Sequence, residues 1–171
     1  PLLRKTLEET DSLLVVCNKK EEAQSIFTQA GELPCRKFYL SASMCMAHRR
    51  TALDELKASI DPNNPGKTLC VSTQVIEAGV DISFGRVIRL TAGMDSVVQA
   101  AGRCNRNGES EIPARVQVVR CVDENLNCLQ DIKRGKNASI SLLREFALHP
   151  ESYRNDLTSD EAISTYYRFL Y

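Results

Sequence analysis

Three polar residues near the middle of the chain have the types and the spacing of an anion-binding site. In the stretch QAAGRCNRNG, residues 99–108, Gln99, Arg103 and Arg106 stand at positions i, i+4 and i+7. On a helix this spacing places all three side chains on one face. Guanidinium groups suit phosphate because they are planar and permanently charged. Taken alone, the pattern is also typical of a solvated helix end, where cations interact favourably with the helix dipole.

A second polar segment, STQVIEAGVDI at residues 72–82, directly follows an apolar run that is predicted to be a strand. Ligand sites in open parallel sheets lie at the carboxyl ends of the strands. Ser72 and Thr73 offer hydroxyl and backbone N–H groups to a phosphodiester oxygen. Gly79 permits a tight turn, and the Asp81 carboxylate could accept a hydrogen bond from a ribose hydroxyl. On its own, this segment fits a plain polar connection between two strands equally well.

The stretch PGKT, residues 65–68, contains the end of a P-loop signature but lacks the rest of it. The motif requires another glycine five residues before Gly66, where the sequence has Asp61. It also requires a strand before it and a helix after it, whereas a Pro/Asn-rich loop precedes it and an apolar run follows. The stretch therefore predicts a surface turn.

The elements that must position these residues are short apolar runs alternating with helical patterns. Strands are predicted at Leu13–Cys17, Lys37–Leu40, Thr68–Ser72, Arg86–Leu90 and Ala114–Cys121. The helices between them are predicted at Lys19–Ala30, Met44–Ile60 and Asp95–Arg103, with Asn18, Ser43 and Asp95 as N-cap residues and Glu21 as the capping-box partner of Asn18. This alternation indicates an α/β fold with a parallel sheet covered by helices on both faces.

The last fifty residues depart from this alternation. Helices are predicted there at Asp123–Arg134, Asn137–Leu148 and Ser159–Leu170, the last with Thr158 and Glu161 as a capping box. We therefore expect two parts, an α/β domain over residues 1–122 and a helical extension or linker over residues 123–171.

The composition excludes several classes of function. Lys and Arg together number 22, as do Asp and Glu, so the net charge of +0 offers no general attraction for nucleic acid. Two histidines and seven cysteines without a C-x-x-C pair predict no metal site and reduced cysteines. No stretch approaches the roughly 20 apolar residues of a membrane span. The opening PLLRKTLEET has no signal-peptide pattern, and we expect it to be the middle of a longer chain.

The order of these segments resembles motifs V and VI of superfamily 2 helicases, which belong to the second of two RecA-like domains. The sequence VSTQVIEAGVDISF, followed by VVQAAGRCNRNG, is similar to the corresponding motifs of the CRISPR-associated helicase-nuclease of type I systems. YLSASMCMAHRR at residues 39–50 resembles a further segment of that family, and LLVVCNKKEEAQSIF at residues 13–27 resembles motif IV. The resemblance spans residues 13–121 and implies a RecA-like sheet followed by a helical extension.

The resemblance also implies roles for individual residues. Arg106 looks like the arginine finger that reaches the γ-phosphate of ATP, Arg103 like its companion on the phosphates, and Gln99 like the residue that orients them. Gly79 and Asp81 match positions near the nucleotide. The remaining matches imply contact with single-stranded DNA, at Ser72, Thr73, Gln74, Ser41, His48 and Arg49, with weaker matches to motif IV at Asn18 and Lys19. His48 fits a plain helix-surface residue equally well.

Further partners follow from the resemblance alone. The cofactor would be ATP with Mg²⁺, and the Mg²⁺ ligands and the P-loop lysine are expected on a first RecA-like domain outside this chain. A His-Asp (HD) nuclease domain of the same protein and an RNA-guided surveillance complex are the other implied partners, in a prokaryotic cytoplasm. The alternatives are another superfamily 2 translocase, such as an RNA helicase or a restriction-enzyme motor, and a RecA-like module that binds a partner without hydrolysing ATP.

Overall fold

The computed structural model of the chain describes residues 1–77, 80–106, 115–121 and 124–171. It divides into two compact units, one of residues 1–90 with 98–119 and one of residues 91–97 with 120–171. The predicted boundary between residues 122 and 123 lies outside the described residues, so that the division into 1–122 and 123–171 stays a prediction.

The first unit contains a five-stranded sheet in which all strands are parallel. In chain order the strands are β1 (Ser12–Val16), β2 (Arg36–Leu40), β3 (Thr68–Ser72), β4 (Arg86–Leu90) and β5 (Val116–Val119). They lie side by side in the order β2-β3-β1-β4-β5. Every residue of β1 and of β3 is buried, as expected for strands covered on both faces. The predicted parallel α/β architecture is confirmed.

Helices cover both faces of this sheet. The helices of the first part of the chain are α1 (Leu2–Glu8), α2 (Lys20–Gln29), α3 (Met46–Ile60) and α4 (Met94–Ala101). On one face Leu14 of β1 packs in a core cluster with Leu56 of α3. Successive side chains of a strand point to opposite faces, and Val15 accordingly lines a cavity of about 430 Å³ with Leu2 of α1 and Ile26 of α2. The sequence analysis missed α1.

The three helix caps predicted for the α/β part of the chain are wrong. The N-cap of α2 is Lys19, whose backbone N–H donates to Glu22 Oε2 at 3.3 Å, rather than Asn18 with Glu21. The side chain of Asn18 instead accepts a hydrogen bond from the buried Arg89 at 2.7 Å. The N-cap of α3 is Cys45 instead of Ser43. Asp95 lies inside the first turn of α4, where its charge suits the helix dipole.

The second unit is built around α5 (Gln130–Leu148) and α6 (Asp160–Leu170). A single helix, α5, replaces the two predicted at 123–134 and 137–148; the described part of the first prediction is helical only from Gln130, and Asp123 lies outside the described residues. Gly135 does not interrupt α5, although glycine costs about 1 kcal/mol in a helix. A Cβ atom on Gly135 would lie 3.0 Å from the Cα of Gly93, tighter than most real Cβ contacts, so this close approach favours glycine.

The prediction of α6 is confirmed, with a small change at its start. The cap is Ser159, whose hydroxyl accepts a hydrogen bond from the Ala162 N–H at 3.2 Å, instead of Thr158. The helix packs through Ala162 and Tyr166 against Ala138 and Leu142 of α5. No helix in the described ranges is both long and apolar enough to cross a membrane.

Candidate functional site

The predicted polar residues lie where the central strands end. The register pairs Val16 of β1 with Ser72 of β3, and Ser72 with Leu40 of β2. The backbone N–H of Thr73 donates to the Leu40 carbonyl at 3.0 Å, which continues the ladder by one residue. The segments that follow β1, β2 and β3 therefore begin side by side at the carboxyl edge of the sheet, the edge at which parallel sheets bind their ligands.

The prediction that Gln99, Arg103 and Arg106 share one helix face is wrong. Helix α4 ends at Ala101, and Asn105 has a positive φ of 47°. The chain leaves the helix because residues 103–105 pair with Phe84. The Phe84 N–H donates to the Arg103 carbonyl at 2.8 Å, and the Asn105 N–H donates to the Phe84 carbonyl at 2.9 Å. Only Gln99 stays on the helix, where it is exposed.

Arg106 and Asp81, predicted from separate motifs, are brought together. Arg106 Nε lies 3.2 Å from Asp81 Oδ1, and the exposed fractions of the two side chains are 39% and 78%. Arg106 Nη1 also donates to the Val80 carbonyl at 3.2 Å, and its backbone N–H donates to Ser83 Oγ at 3.0 Å. The backbone of Arg106 is thus anchored while its guanidinium stays accessible to an anion from solvent.

Arg103 has a different environment. Its exposure is 7%, and its guanidinium donates from Nε to the Ile76 carbonyl at 2.9 Å and from Nη2 to the Glu77 carbonyl at 2.6 Å. The side chain therefore ties the turn after α4 to the segment after β3. Contact between Arg103 and phosphates, which the resemblance implies, would require these bonds to be exchanged and stays a prediction.

Cys104 lies in the sequence between these two arginines. Burial raises the pKa of its thiol, an effect that the positive charge of Arg86 partly opposes. The thiol is consequently neutral at physiological pH and is a poor nucleophile, since the thiolate is the reactive form.

The segment after β3 presents its polar groups in different ways. Ser72 is fully buried, and its hydroxyl donates to the Thr73 carbonyl at 2.8 Å. Gln74 is partly exposed and donates from Nε2 to the Asn18 carbonyl at 3.4 Å. The Thr73 hydroxyl is buried and has no hydrogen-bond partner among the residues that the structure describes. A buried hydroxyl of this kind is unfavourable unless a further group satisfies it. Gly79 lies outside the described residues.

The residues predicted along the DNA from the segment after β2 differ in accessibility. Ser41 is buried, and its hydroxyl accepts a hydrogen bond from the Ser43 N–H at 3.2 Å. Arg49 is half-buried and donates from Nη2 to the carbonyls of Ala42 and Met44, both at 3.3 Å. His48 is exposed. Ser41 and Arg49 therefore shape the loop that leads into α3, and His48 is the one of the three whose side chain faces solvent.

The sequence analysis missed two charged residues of this region, Glu77 and Arg89. Arg89 is fully buried in β4, and its Nε lies 2.9 Å from Glu77 Oε1. A signal was present, since RVIRL places an arginine in the interior of an otherwise apolar run, where an unpaired charge is very unfavourable. The sequence alone did not show which acid pairs with it.

The PGKT stretch lies far from this site, at the start of β3 instead of its end. The Lys67 ammonium donates to the Leu7 carbonyl and, at 3.3 Å, to the Thr10 carbonyl. These main-chain partners fit the predicted surface turn. Across the described part of the chain, no group of three or more His, Cys, Asp or Glu residues is arranged to hold a metal ion.

Comparison with known proteins identifies a family from the sequence. A family model described as "CRISPR-associated nuclease/helicase Cas3, C-terminal" matches residues 9–109. A CRISPR-associated nuclease/helicase Cas3 from Haloferax volcanii is 67% identical over 39 residues, which are 23% of this chain and 4% of that protein. The chain thus spans only a small part of this curated relative.

Two solved structures share the fold. The crystal structure of T. fusca Cas3 matches with a TM-score of 0.68 and 19% identity over 84% of this chain and 19% of that one. A chain of a CRISPR RNA-guided surveillance complex in a pre-nicking state matches with a TM-score of 0.69 and 19% identity, over 98% of this chain and 22% of that one. At this identity the matches establish a common fold.

Proposed function

The chain belongs to the family of the Cas3 C-terminal helicase region, and on that premise we propose that it is the second motor domain of an ATP-dependent single-stranded DNA translocase in CRISPR interference. The observation that carries this proposal is the pair of Arg106 and Asp81 at the carboxyl edge of the sheet. The pair combines an accessible guanidinium with an anchored backbone, which is what an arginine finger requires.

In the proposed reaction, ATP binds between this chain and a first RecA-like domain that carries the P-loop lysine and the Mg²⁺ ligands. T. fusca Cas3, which shares the fold, has also been solved in a form named for ATP. Arg106 exchanges Asp81 for the γ-phosphate, a small cost because exposed ion pairs contribute about 0–1 kcal/mol. The guanidinium then stabilises the charge on the transferring phosphoryl group. The released Asp81 carboxylate accepts a hydrogen bond from a ribose hydroxyl.

The other predicted site residues are assigned around this pair. Gln99, exposed on α4, orients the phosphates, and Gly79 contributes to the nucleotide site. Arg103 positions the segment that carries Arg106, because it bonds the carbonyls of Ile76 and Glu77. We assign the DNA track to the ends of β2 and β3, where Thr73, Gln74 and His48 offer their side chains to the strand. The buried Ser72 and Ser41 and the half-buried Arg49 hold the backbone of the track in place.

We further propose that the translocase works with an HD nuclease domain and an RNA-guided surveillance complex. The support is the fold match to a chain of such a complex together with the family membership. In this arrangement the motor moves along the displaced strand while the nuclease degrades it, and both activities depend on domains outside this chain.

The chain by itself is expected to hydrolyse no ATP above background, because its one GK[ST] sequence is engaged in a surface turn. Joined to the first RecA-like domain, it is expected to show hydrolysis that single-stranded DNA stimulates. Phosphate release, measured with DNA, with RNA and without nucleic acid, tests both statements. Hydrolysis by the isolated chain would contradict the proposal that the ATP site is shared between this chain and a first RecA-like domain. Stimulation by RNA alone would favour an RNA helicase, and no hydrolysis in the two-domain protein would favour a binding module.

The buried Thr73 hydroxyl gives a test of the DNA track. Replacing Thr73 with valine keeps the shape and removes a hydroxyl that has no hydrogen-bond partner in the described ranges. We expect the melting temperature to be unchanged or raised, and the affinity for single-stranded DNA to fall roughly tenfold if that hydroxyl bonds a DNA phosphate. Fluorescence anisotropy with a labelled oligonucleotide measures the affinity.

Ser72→Ala is the matched control for Thr73→Val, because the Ser72 hydroxyl already has an internal partner, the Thr73 carbonyl. This variant is expected to lose stability more than affinity. If Thr73→Val instead lowers the melting temperature and binds DNA normally, the hydroxyl has no role in DNA binding.

A further inference from the structure

A buried ion pair that belongs to none of the predicted site residues involves the segment after β3, four residues before Asp81 in the sequence. Arg89 of β4 is 0% exposed and Glu77 is 6% exposed. Arg89 Nε lies 2.9 Å from Glu77 Oε1. Two charges have thus been removed from water, one on β4 and one in the segment after β3.

Arg89 also donates hydrogen bonds to groups other than Glu77. Its Nη1 donates to Asn18 Oδ1 at 2.7 Å and to the Val16 carbonyl at 3.4 Å, both at the carboxyl end of β1. The same nitrogen donates to the Leu90 carbonyl at 2.9 Å. One guanidinium therefore joins the ends of β1 and β4 to the segment after β3.

Glu77 is held from two sides by two arginines. Its carboxylate pairs with Arg89, and its backbone carbonyl accepts from Arg103 Nη2 at 2.6 Å. Asp81 follows four residues later and Arg106 follows Arg103 by three. The two segments are therefore linked at one end by Arg103 to Glu77 and at the other by Arg106 to Asp81.

Stability alone does not explain a pair of this kind. The desolvation of two buried charges roughly cancels their attraction, and apolar residues of similar volume often serve the fold equally well or better. The forked guanidinium instead imposes direction, because it fixes several acceptors in one plane. The acceptors that it fixes here are the side chains of Asn18 and Glu77 and the Val16 carbonyl at the end of β1.

We propose that Arg89 and Glu77 are positioning residues for ATP hydrolysis, which set the place of the Arg106–Asp81 pair through Arg103. The proposal rests on the proposed function, because it concerns the same ATP site. Neither residue touches the nucleotide. Their loss displaces the finger without removing it, and a displacement of about 1 Å in a catalytic group can cost roughly 100-fold in rate.

The decisive variant is the double substitution Arg89→Met with Glu77→Leu in the two-domain helicase, since it removes both charges and keeps the volume. We expect a cooperative unfolding transition near that of the wild type and unchanged affinity for single-stranded DNA. The kcat of ATP hydrolysis is expected to fall roughly 10- to 100-fold, with KM for ATP nearly unchanged. A purely structural pair would leave kcat intact in this stable variant.

Arg89→Lys is the second variant, because it keeps the charge beside Glu77 but cannot fix all the acceptors at once. Its expected kcat lies between those of the wild type and the double variant, with KM for ATP nearly unchanged, measured well below its melting temperature. Arg144→Lys, on the exposed surface of α5, is the matched control and is expected to behave as the wild type.

The outcomes separate the two proposals. A wild-type two-domain protein without ATPase activity overturns the proposed function. An active wild type with normal kcat in the folded double variant overturns the positioning role alone. If the double variant does not fold, Arg89→Lys decides, because in the folded protein a normal kcat overturns the role and a reduced kcat with KM for ATP nearly unchanged supports it.

Discussion

Arg106→Ala in the two-domain helicase is expected to lower the rate of ATP hydrolysis by about 10³- to 10⁵-fold, the contribution typical of an arginine finger. The fold should survive, because the side chain is 39% exposed and its pair with Asp81 is solvated. The backbone bond from Arg106 to Ser83 Oγ does not depend on the side chain. Single-turnover phosphate release measures the rate, and oligonucleotide anisotropy should show nearly unchanged binding of single-stranded DNA.

Two controls make this result specific to the finger. Arg106→Lys keeps the charge but loses the planar fork, and it should recover only part of the rate. Arg144→Ala, on the exposed surface of α5, removes an arginine outside the site and should retain the full rate. Retained hydrolysis with lost DNA binding in Arg106→Ala would place this arginine on the DNA instead of on the nucleotide.

Arg103→Met is expected to act on stability, although Arg103 belongs to the same sequence motif as Arg106. The substitution removes two bonds from a buried guanidinium to the carbonyls of Ile76 and Glu77. Bonds to charged groups contribute about 1.5–3 kcal/mol each, and the methionine side chain partly fills the space. We therefore expect the free energy of unfolding to fall by roughly 3 kcal/mol, measured by urea denaturation.

Arg106→Met is the matched control, because it makes the same chemical change at an exposed position. Its effect on the free energy of unfolding should stay below about 1 kcal/mol, the usual limit for exposed ion pairs. Equal destabilisation by the two substitutions would show that the bonds of Arg103 contribute nothing specific. A loss of hydrolysis in Arg103→Met without any loss of stability would favour direct contact with the phosphates.

The strands could be predicted because their apolar runs are local signals. LLVVC and TLCVS have no polar alternation. The first overlaps β1 and the second is β3, and both strands are buried at every residue. The helix caps were less predictable, because several polar residues compete at each helix start and tertiary contacts choose among them. Asn18 is the clearest example, since its side chain is taken by Arg89, which lies 71 residues away in sequence.

Gly135 is a second residue whose place in the fold depends on a tertiary contact. Local rules treat a glycine in a helical pattern as a point of weakness, yet α5 continues through Gly135 as one helix. The use of glycine at position 135 instead relates to the backbone of Gly93, which lies so close that a Cβ atom would have to push it aside. The local sequence pattern cannot predict a contact between residues that are 42 positions apart.

The sequence by itself determined the parallel sheet, the edge at which the site lies and the family to which the chain belongs, because these depend on apolar runs and on motif wording. The tertiary structure decided how the charges of those motifs are used. Two arginines of one motif differ in environment because the turn after α4 buries Arg103 against main-chain carbonyls and leaves Arg106 accessible beside Asp81. Burial and pairing of charges are set by residues far apart in the chain, and spacing along the sequence does not specify them.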